Sequence, residues 1–150
     1  MTGGDSPASN PAELDKSLYA GIINAKSADN SATETNTRAK GAWGEDAAVS
    51  YLMSKGYTII RRNYRKRTGE IDCIARDLDN TTVFVEVKSA RTAACGHPFF
   101  WITPAKQRTL AKVARSYLAE QGSLRCACRF DVIAITNGTV QHLKNAFLVR

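Results

Sequence analysis

Apolar residues recur at helical spacing in the first well-patterned segment of the chain. Trp43, Ala47 and Tyr51 follow one another four residues apart within the segment from Arg38 to Lys55, and Gly56 is a typical helix stop. A second helical pattern starts at Thr103-Pro104, with threonine suited to the N-cap and proline to the first turn. It extends to about Gln121. The sequence therefore predicts two helices.

Between and after these helices, apolar residues alternate or run together as they do in strands. The predicted strands are residues 57–65, 70–76, 82–89, 129–136 and 139–143. Turn residues separate them: residues 66–69, the hairpin signal at 77–80, and Asn137-Gly138. The order helix, three strands, helix, two strands predicts an α/β fold, with a mixed central sheet flanked by helices.

The chain divides into a polar segment and a patterned domain. Residues 1–37 contain few large apolar side chains, which predicts a disordered N-terminal tail, and residues 38–150 form the domain. Two of the 21 basic residues and five of the 14 acids lie in 1–37, so this segment carries −3. The whole chain carries +7, which leaves +10 for the domain. Such a surplus favours a polyanionic partner such as nucleic acid, although it also serves solubility alone.

The cysteines, the lengths of the apolar runs and the N-terminal sequence indicate the cellular compartment. Cys126 and Cys128 are separated by one residue, unlike zinc-knuckle pairs, and His97 and His142 stand alone in the sequence. Reduced structural thiols are the better interpretation. No apolar run reaches membrane-spanning length and the N-terminus lacks a signal-peptide pattern, so we expect a cytoplasmic protein with no membrane partner.

Acidic residues inside apolar strands are the main chemical signal. Alternation puts Glu70, Asp72 and Ile74 on one face of their strand, and Phe84, Glu86 and Lys88 on one face of the next. A hairpin turning about Asp79 would pair Asp72 with Glu86, and two adjacent carboxylates repel unless a cation lies between them. Mg²⁺ or Mn²⁺ held by both, with Lys88 beside the phosphate, is the predicted arrangement. The plainer alternative is a surface hairpin whose acids form ordinary ion pairs.

Four further polar residues accompany this pair. Glu45 shares a helix face with apolar residues and is a candidate inward-pointing carboxylate. Lys106 heads the apolar stripe of the second helix and is a candidate phosphate contact, with Gln107 beside it. Asp131, in an apolar strand, is better explained by a structural ion pair with an arginine. The aromatic run Phe99-Phe100-Trp101 fits a core plug as well as a base-stacking surface.

Basic side chains cluster around the first hairpin and suit contacts with phosphates. The predicted nucleic-acid contacts there are Arg62, Arg65, Lys66 and Arg67. No single one of them is diagnostic.

Several ordered motifs resemble the YraN family, a group of uncharacterised bacterial proteins, over about residues 38–150. They are Gly41-Ala42-Trp43-Gly44-Glu45, Arg62-Asn63-Tyr64, Gly69-Glu70-Ile71-Asp72, Phe84-Val85-Glu86-Val87-Lys88, Lys106, Arg129-Phe130-Asp131-Val132 and Asn145-Ala146-Phe147. That family is similar in turn to PD-(D/E)XK nucleases of the Holliday-junction-resolvase type.

The resemblance implies a restriction-endonuclease-like fold with Asp72 and Glu86 as catalytic metal ligands and Lys88 as the catalytic lysine. Glu45, the acid of the preceding helix, is then a secondary metal ligand or holds the water in the same catalytic site. The proline that names the motif is absent, because Glu70-Ile71 precede Asp72. A homodimer is also implied by resolvase-like relatives.

The predicted function is a metal-dependent endonuclease acting on DNA phosphodiesters, with branched DNA in repair or recombination as the substrate that the resemblance suggests. Two alternatives stay open at this stage. One is a nucleic-acid-binding accessory factor without catalysis, since related folds host inactive binders. The other is a protein-interaction subunit of a DNA-processing machine.

Overall fold

A computed structural model describes residues 35–90 and 102–149, with side chains from residue 41. Within these residues, two helices and five strands follow one another in the predicted order. They are α1 (Thr35–Ser54), β1 (Thr58–Lys66), β2 (Gly69–Arg76), β3 (Thr82–Ala90), α2 (Pro104–Glu120), β4 (Cys128–Thr136) and β5 (Thr139–Phe147). The predicted tail mostly falls outside the described residues, as does the aromatic run 99–101.

The five strands form one mixed sheet in the order β1-β2-β3-β4-β5. Only β3 and β4 run parallel, and α2 makes the crossover between them. This confirms the predicted α/β architecture. The largest boundary differences are at β5, which extends four residues beyond the predicted end at Leu143, and at α1, which begins three residues before the predicted Arg38. The first turn also shortens to residues 67–68 because Lys66 and Gly69 pair with each other.

Each face of the sheet is covered by one helix. On one side, Ala48 and Leu52 of α1 pack on strand residues such as Val85 and Ile133. On the other, the α2 residues Leu110, Val113 and Tyr117 pack on a second core cluster. The remaining buried members of that cluster are Tyr64, Ile71, Ile74, Phe84, Ile102, Ala114, Leu118, Phe130 and Val132. The buried stripe of α2 is the one that its apolar spacing predicted.

Glycine allows α2 to approach β2 closely. A Cβ atom on Gly69 would lie 2.4 Å from Thr109 Cγ2, and Gly69 has a φ of 149°, which side chains rarely adopt. The helix N-terminus is capped by Thr103, whose hydroxyl accepts from the Lys106 N–H at 3.3 Å. These contacts fix the start of α2 against the sheet.

The alternation of β2 breaks at Asp72. Ile71 belongs to the core cluster under α2, whereas Cys73 belongs to the cluster under α1. The alternation predicted for this strand would put Ile71 and Cys73 on one face, opposite Asp72, so that prediction was wrong at this point. Opposite this break, Asn63 of β1 has a φ of 50°, a left-handed conformation that interrupts regular strand geometry. Asp72 therefore lies at an irregular point in the middle of the sheet.

Candidate metal and phosphate site

The hairpin of β2 and β3 has the predicted register. Its four pairs run from Arg76–Thr82 to Cys73–Val85, and one more step in that register would put Asp72 opposite Glu86. The ladder ends before this step. Instead, the backbone N–H of Val87 donates a hydrogen bond to Asp72 Oδ2 at 2.8 Å. The Asp72 carboxylate thus occupies the opening where the two strands part.

Glu86 is buried at the same place, with a relative exposure of 2%. Two lysines contact one of its oxygens: Lys88 Nζ lies 2.7 Å and Lys106 Nζ 3.0 Å from Glu86 Oε1. Within the part of the chain that the structure describes, Glu86 Oε2 is buried and has no hydrogen-bond partner. An unpaired buried carboxylate oxygen is unfavourable, which is expected of a functional site rather than a structural ion pair.

The two carboxylates interact electrostatically. Burial, followed by repulsion from Glu86, raises the pKa of Asp72 from 3.8 to about 6. The Val87 N–H and the Lys106 ammonium oppose this shift. Repulsion between close carboxylates is the condition that a divalent cation relieves.

Glu45 approaches this pair from α1. A Cβ atom on Gly44 would lie 2.8 Å from Ser89 Cβ, so only glycine lets the helix come this near the end of β3. Glu45 Oε2 accepts a hydrogen bond from Asn63 Nδ2 at 2.9 Å. Its charge contributes to the raised pKa of Asp72, which places Glu45 within electrostatic range of that carboxyl group.

The residues present fit a divalent metal with a small protein ligand set. Among residues 35–90 and 102–149, no three His, Cys, Asp or Glu side chains form a ready ligand group. Asp72 and Glu86 interact electrostatically as a two-carboxylate pair, and Glu45 Oε2 accepts a hydrogen bond from Asn63. Mg²⁺ commonly takes one or two carboxylates and completes its shell with water and phosphate oxygens. The unpaired Glu86 Oε2 is an oxygen still available to such a cation.

The residues predicted to contact nucleic acid differ in their partners within the protein. Lys106 reaches Glu86, and Gln107 Nε2 donates to the Ile102 carbonyl at 3.2 Å. On β1, three cations are paired with carboxylates: Arg62 with Asp46, Arg65 with Glu70, and Lys66 with Glu120. Arg67 is exposed in the turn. Contacts of all these residues with phosphates stay predictions.

Asp131 belongs to a separate network on the α1 side of the sheet. Arg129 Nε lies 3.0 Å from Asp131 Oδ1, as expected for a structural ion pair. His142 Nε2 lies 2.9 Å from Asp131 Oδ2, so His142 is not isolated, contrary to the sequence-based interpretation. The Asn145 N–H also donates to the carboxylate. Burial alone would raise the pKa of Asp131, but the hydrogen bonds from His142, Arg129 and Asn145 hold it below its ordinary value.

The cysteines described show no sign of a metal centre. Burial raises the pKa of the Cys73 thiol to about 12, which makes it unreactive, as expected for a core residue. Cys126 and Cys128 are exposed and unbridged. Neither α1 nor α2 is long and apolar enough to cross a membrane.

Comparison with known proteins identifies the family. A model of the uncharacterised protein family UPF0102 matches residues 44–135. The chain belongs to the UPF0102 family. This confirms the resemblance to YraN proteins that its motifs indicated.

Individual UPF0102 proteins are similar in sequence to this chain over most of their own length. That of Chlorobium phaeobacteroides (strain BS1) is 45% identical over 118 residues, covering 72% of this chain and 93% of the relative. That of Geobacter sulfurreducens is 48% identical over 112 residues, covering 71% and 87%. Among solved structures, a chain of an EndoMS complex with double-stranded DNA has a TM-score of 0.33 and 17% identity. The match covers 75% of this chain and 39% of that one.

Two residues of this UPF0102 site were missed as site residues. Asn63 and Gly44 appeared in the sequence only as parts of the Arg62-Asn63-Tyr64 and Trp43-Gly44-Glu45 motifs. The signal that could have pointed to Asn63 is its position: asparagine inside a strand is unfavourable unless its side chain or a positive φ is needed there. Nothing in the sequence alone pairs Gly44 with Ser89.

Proposed function

We propose that this UPF0102 protein is a divalent-metal-dependent phosphodiesterase that cleaves DNA, with branched DNA as the substrate class to examine first. The observation that carries the proposal is the buried Glu86, with two lysines on Oε1 and no partner on Oε2, beside the raised-pKa carboxyl of Asp72. This combination of acids and cations suits the handling of a phosphate with a metal ion.

In this proposal, Asp72 and Glu86 hold Mg²⁺ or Mn²⁺. The bound ion supplies Lewis-acid activation of water and neutralises charge on the phosphodiester. Glu45 acts as a secondary group that positions water, because Asn63 already engages one of its oxygens. Asn63 itself is not placed against the substrate.

The two lysines provide positive charge on the protein side. The ammonium groups of Lys88 and Lys106 both contact Glu86 Oε1. One ammonium group is enough to balance the charge of that carboxylate. If Glu86 held a cation through Oε2, both ammonium groups on Oε1 would be available to a phosphate. Lys88 then stabilises charge that develops on the phosphate, and Lys106 contacts a non-reacting oxygen.

A cleavage panel tests the proposal. Single-stranded, duplex, flap and four-way-junction DNA are incubated with the protein in Mg²⁺, in Mn²⁺ and in EDTA. We expect metal-dependent cleavage of at least one substrate, lost by about 10²-fold or more in Asp72→Asn and Glu86→Gln, as is typical when a group central to charge stabilisation is removed. Glu70→Gln is the matched control, because Glu70 lies on the same strand but pairs with Arg65 at the surface.

Equal cleavage by wild type and both site variants would reject the proposal. DNA binding without cleavage on any substrate, and no calorimetric Mn²⁺ signal that depends on Asp72, would favour the accessory-factor alternative. The cytoplasmic location and the homodimer are also proposals. Sedimentation of the purified protein tests the latter.

A further inference from the structure

The outward face of α2 carries a straight row of cations. Arg108, Lys112 and Arg115 are all exposed and lie four and three residues apart. Residues at these spacings lie on one helix face, and seven residues rise by roughly 10 Å. The buried residues Leu110, Val113 and Tyr117 occupy the opposite face. Arg108, Lys112 and Arg115 are called the α2 cation row below.

Within residues 35–90 and 102–149, no carboxylate forms an ion pair with any member of the α2 cation row. The helix contains no acid before its last residue, Glu120, which is engaged by Lys66 and Tyr64. Residues 91–101, which precede the helix, contain no Asp or Glu in the sequence. Among the residues that the structure describes, the row is thus a positive strip without a paired carboxylate.

Three of the four cations of β1 differ in this respect, and the fourth, Arg61, lies over the Tyr64 ring. Arg62, Arg65 and Lys66 each have a carboxylate partner. A phosphate that approaches them must compete with that partner. Affinity gained from counterion release depends on cations that neutralise phosphates, so the unpaired row is the stronger polyanion surface.

The start of α2 carries positive charges, which are unfavourable at the N-terminus of a helix. Lys106 and Arg108 lie near the helix N-terminus, where the helix dipole favours acids, and the first turn contains none. The same N-terminus is fixed against β2 at Gly69 and reaches the candidate site through Lys106. A polyanion crossing this end of the helix would contact the row on one side and the site on the other.

We propose that the α2 cation row binds the sugar-phosphate backbone of DNA and holds it as it enters the Glu86 site. The inference rests on the proposed function for its choice of polyanion. The net charge of +10 on residues 38–150 supplies the charge complementarity. The row, rather than the β1 cations, supplies most of the salt-dependent affinity.

The test compares two triple variants with the same change in net charge. One is Arg108→Gln/Lys112→Gln/Arg115→Gln, and the other is Arg62→Gln/Arg65→Gln/Lys66→Gln. Affinity for fluorescent duplex and junction DNA is measured by anisotropy in EDTA across a range of salt concentrations. Far-UV circular dichroism and a thermal melt of each variant report on folding.

We expect the α2 triple variant to bind about ten-fold or more weakly, with a slope of log K against log salt reduced by roughly 2 to 3, about 0.9 for each lost phosphate contact. The β1 triple variant should lose less than half as much. As a gain-of-contact variant, Ala119→Lys extends the row by one turn at an exposed position and should steepen the slope by roughly 1.

A β1 variant that loses as much affinity as the α2 variant, or an α2 variant with an unchanged slope, would overturn the inference. Anionic lipid vesicles serve as a second probe. If vesicle binding is weakened by the α2 triple variant as strongly as DNA binding is, nucleic acid is the wrong partner. Because EDTA prevents metal-dependent cleavage, the binding assay is separate from the proposed function. Row-dependent binding in EDTA, together with no cleavage in the Mg²⁺ and Mn²⁺ panel, supports this inference and rejects catalysis.

Discussion

The side-chain amide of Asn63 donates a hydrogen bond to Glu45 Oε2 at 2.9 Å, and this joins the edge strand of the sheet to the first helix beside the candidate site. The backbone of Asn63 is left-handed, with a φ of 50°. Asparagine tolerates this conformation better than most residues. The same residue therefore accounts for both the irregular strand and the orientation of Glu45.

Replacing Asn63 separates these two roles. Asn63→Gly keeps the left-handed backbone without strain but removes the hydrogen bond, whereas Asn63→Ala loses the bond and adds roughly 1 to 2 kcal/mol of strain. We expect both variants to cleave DNA about ten-fold more slowly at unchanged DNA affinity, because Glu45 is no longer held. Urea unfolding should show the alanine variant to be the less stable of the two. Equal stability would contradict the assigned backbone strain.

Gly44 and Gly41 provide a matched pair within α1. A Cβ atom on Gly41 meets nothing within 4 Å, whereas one on Gly44 would collide with the Ser89 side chain. Gly41→Ala should therefore stabilise the protein by up to about 1 kcal/mol through helix propensity. Gly44→Ala should destabilise it by roughly 1 to 3 kcal/mol despite the same gain. Thermal unfolding measures both, and Ser89→Gly should recover part of the loss because it removes the colliding atoms.

The raised pKa of Asp72 predicts how pH affects the metal-free protein. Its folded-state pKa of about 6 exceeds the ordinary 3.8, so its contribution to stability is full below pH 4 and is lost as pH rises through 6. In EDTA, Asp72→Asn should become more stable than wild type between pH 4 and 7, by roughly 1 to 3 kcal/mol at pH 8. Chemical denaturation at several pH values measures this difference. A constant difference from pH 4 to 8 would show that the carboxyl is not perturbed.

Adding metal should reverse the stability difference between wild type and Asp72→Asn. A ligand that binds only the folded state stabilises it, and Asp72→Asn removes one of the two proposed ligands. At pH 8, Mg²⁺ or Mn²⁺ should therefore raise the melting temperature of wild type and leave that of Asp72→Asn nearly unchanged. Ca²⁺-free buffers and the Glu70→Gln variant serve as controls. An equal rise in all three proteins would indicate binding elsewhere.

The parts of the fold that depend on pattern were predictable. Alternation in β2 and β3, the turn around Asp79 and the capped start of α2 gave the element order and the register of the β2–β3 ladder as far as the pair of Cys73 and Val85. Strict alternation failed at Asp72, since it cannot foresee that Asn63 across the strand adopts a left-handed conformation. Close approaches such as Gly44 to Ser89 depend on helix placement, which no local pattern encodes.

The sequence also could not predict which charged residues pair with each other. Arg62 and Arg108 are both exposed arginines in basic segments, yet one meets Asp46 and the other meets no acid in the described part of the chain. Which cations are free depends on carboxylates brought from distant elements. The involvement of His142 with Asp131 was missed for the same reason, because the contact is made across β4 and β5.

The Asp131 network should be essential for stability and irrelevant to metal binding. Asp131→Asn removes the carboxylate that joins Arg129, His142 and the Asn145 N–H, and breaking a buried ion pair in this way costs about 3 to 5 kcal/mol. Because the pKa of Asp131 is held low, its stabilisation is present above pH 4 and is lost as pH falls through the lowered folded-state value. The stability difference from wild type should therefore shrink in acid. Asp79→Asn, in an exposed turn, should change the free energy of unfolding by less than about 0.5 kcal/mol. If Asp131→Asn instead abolished Mn²⁺ binding while remaining as stable as wild type, the metal site would have to be moved to the other face of the sheet.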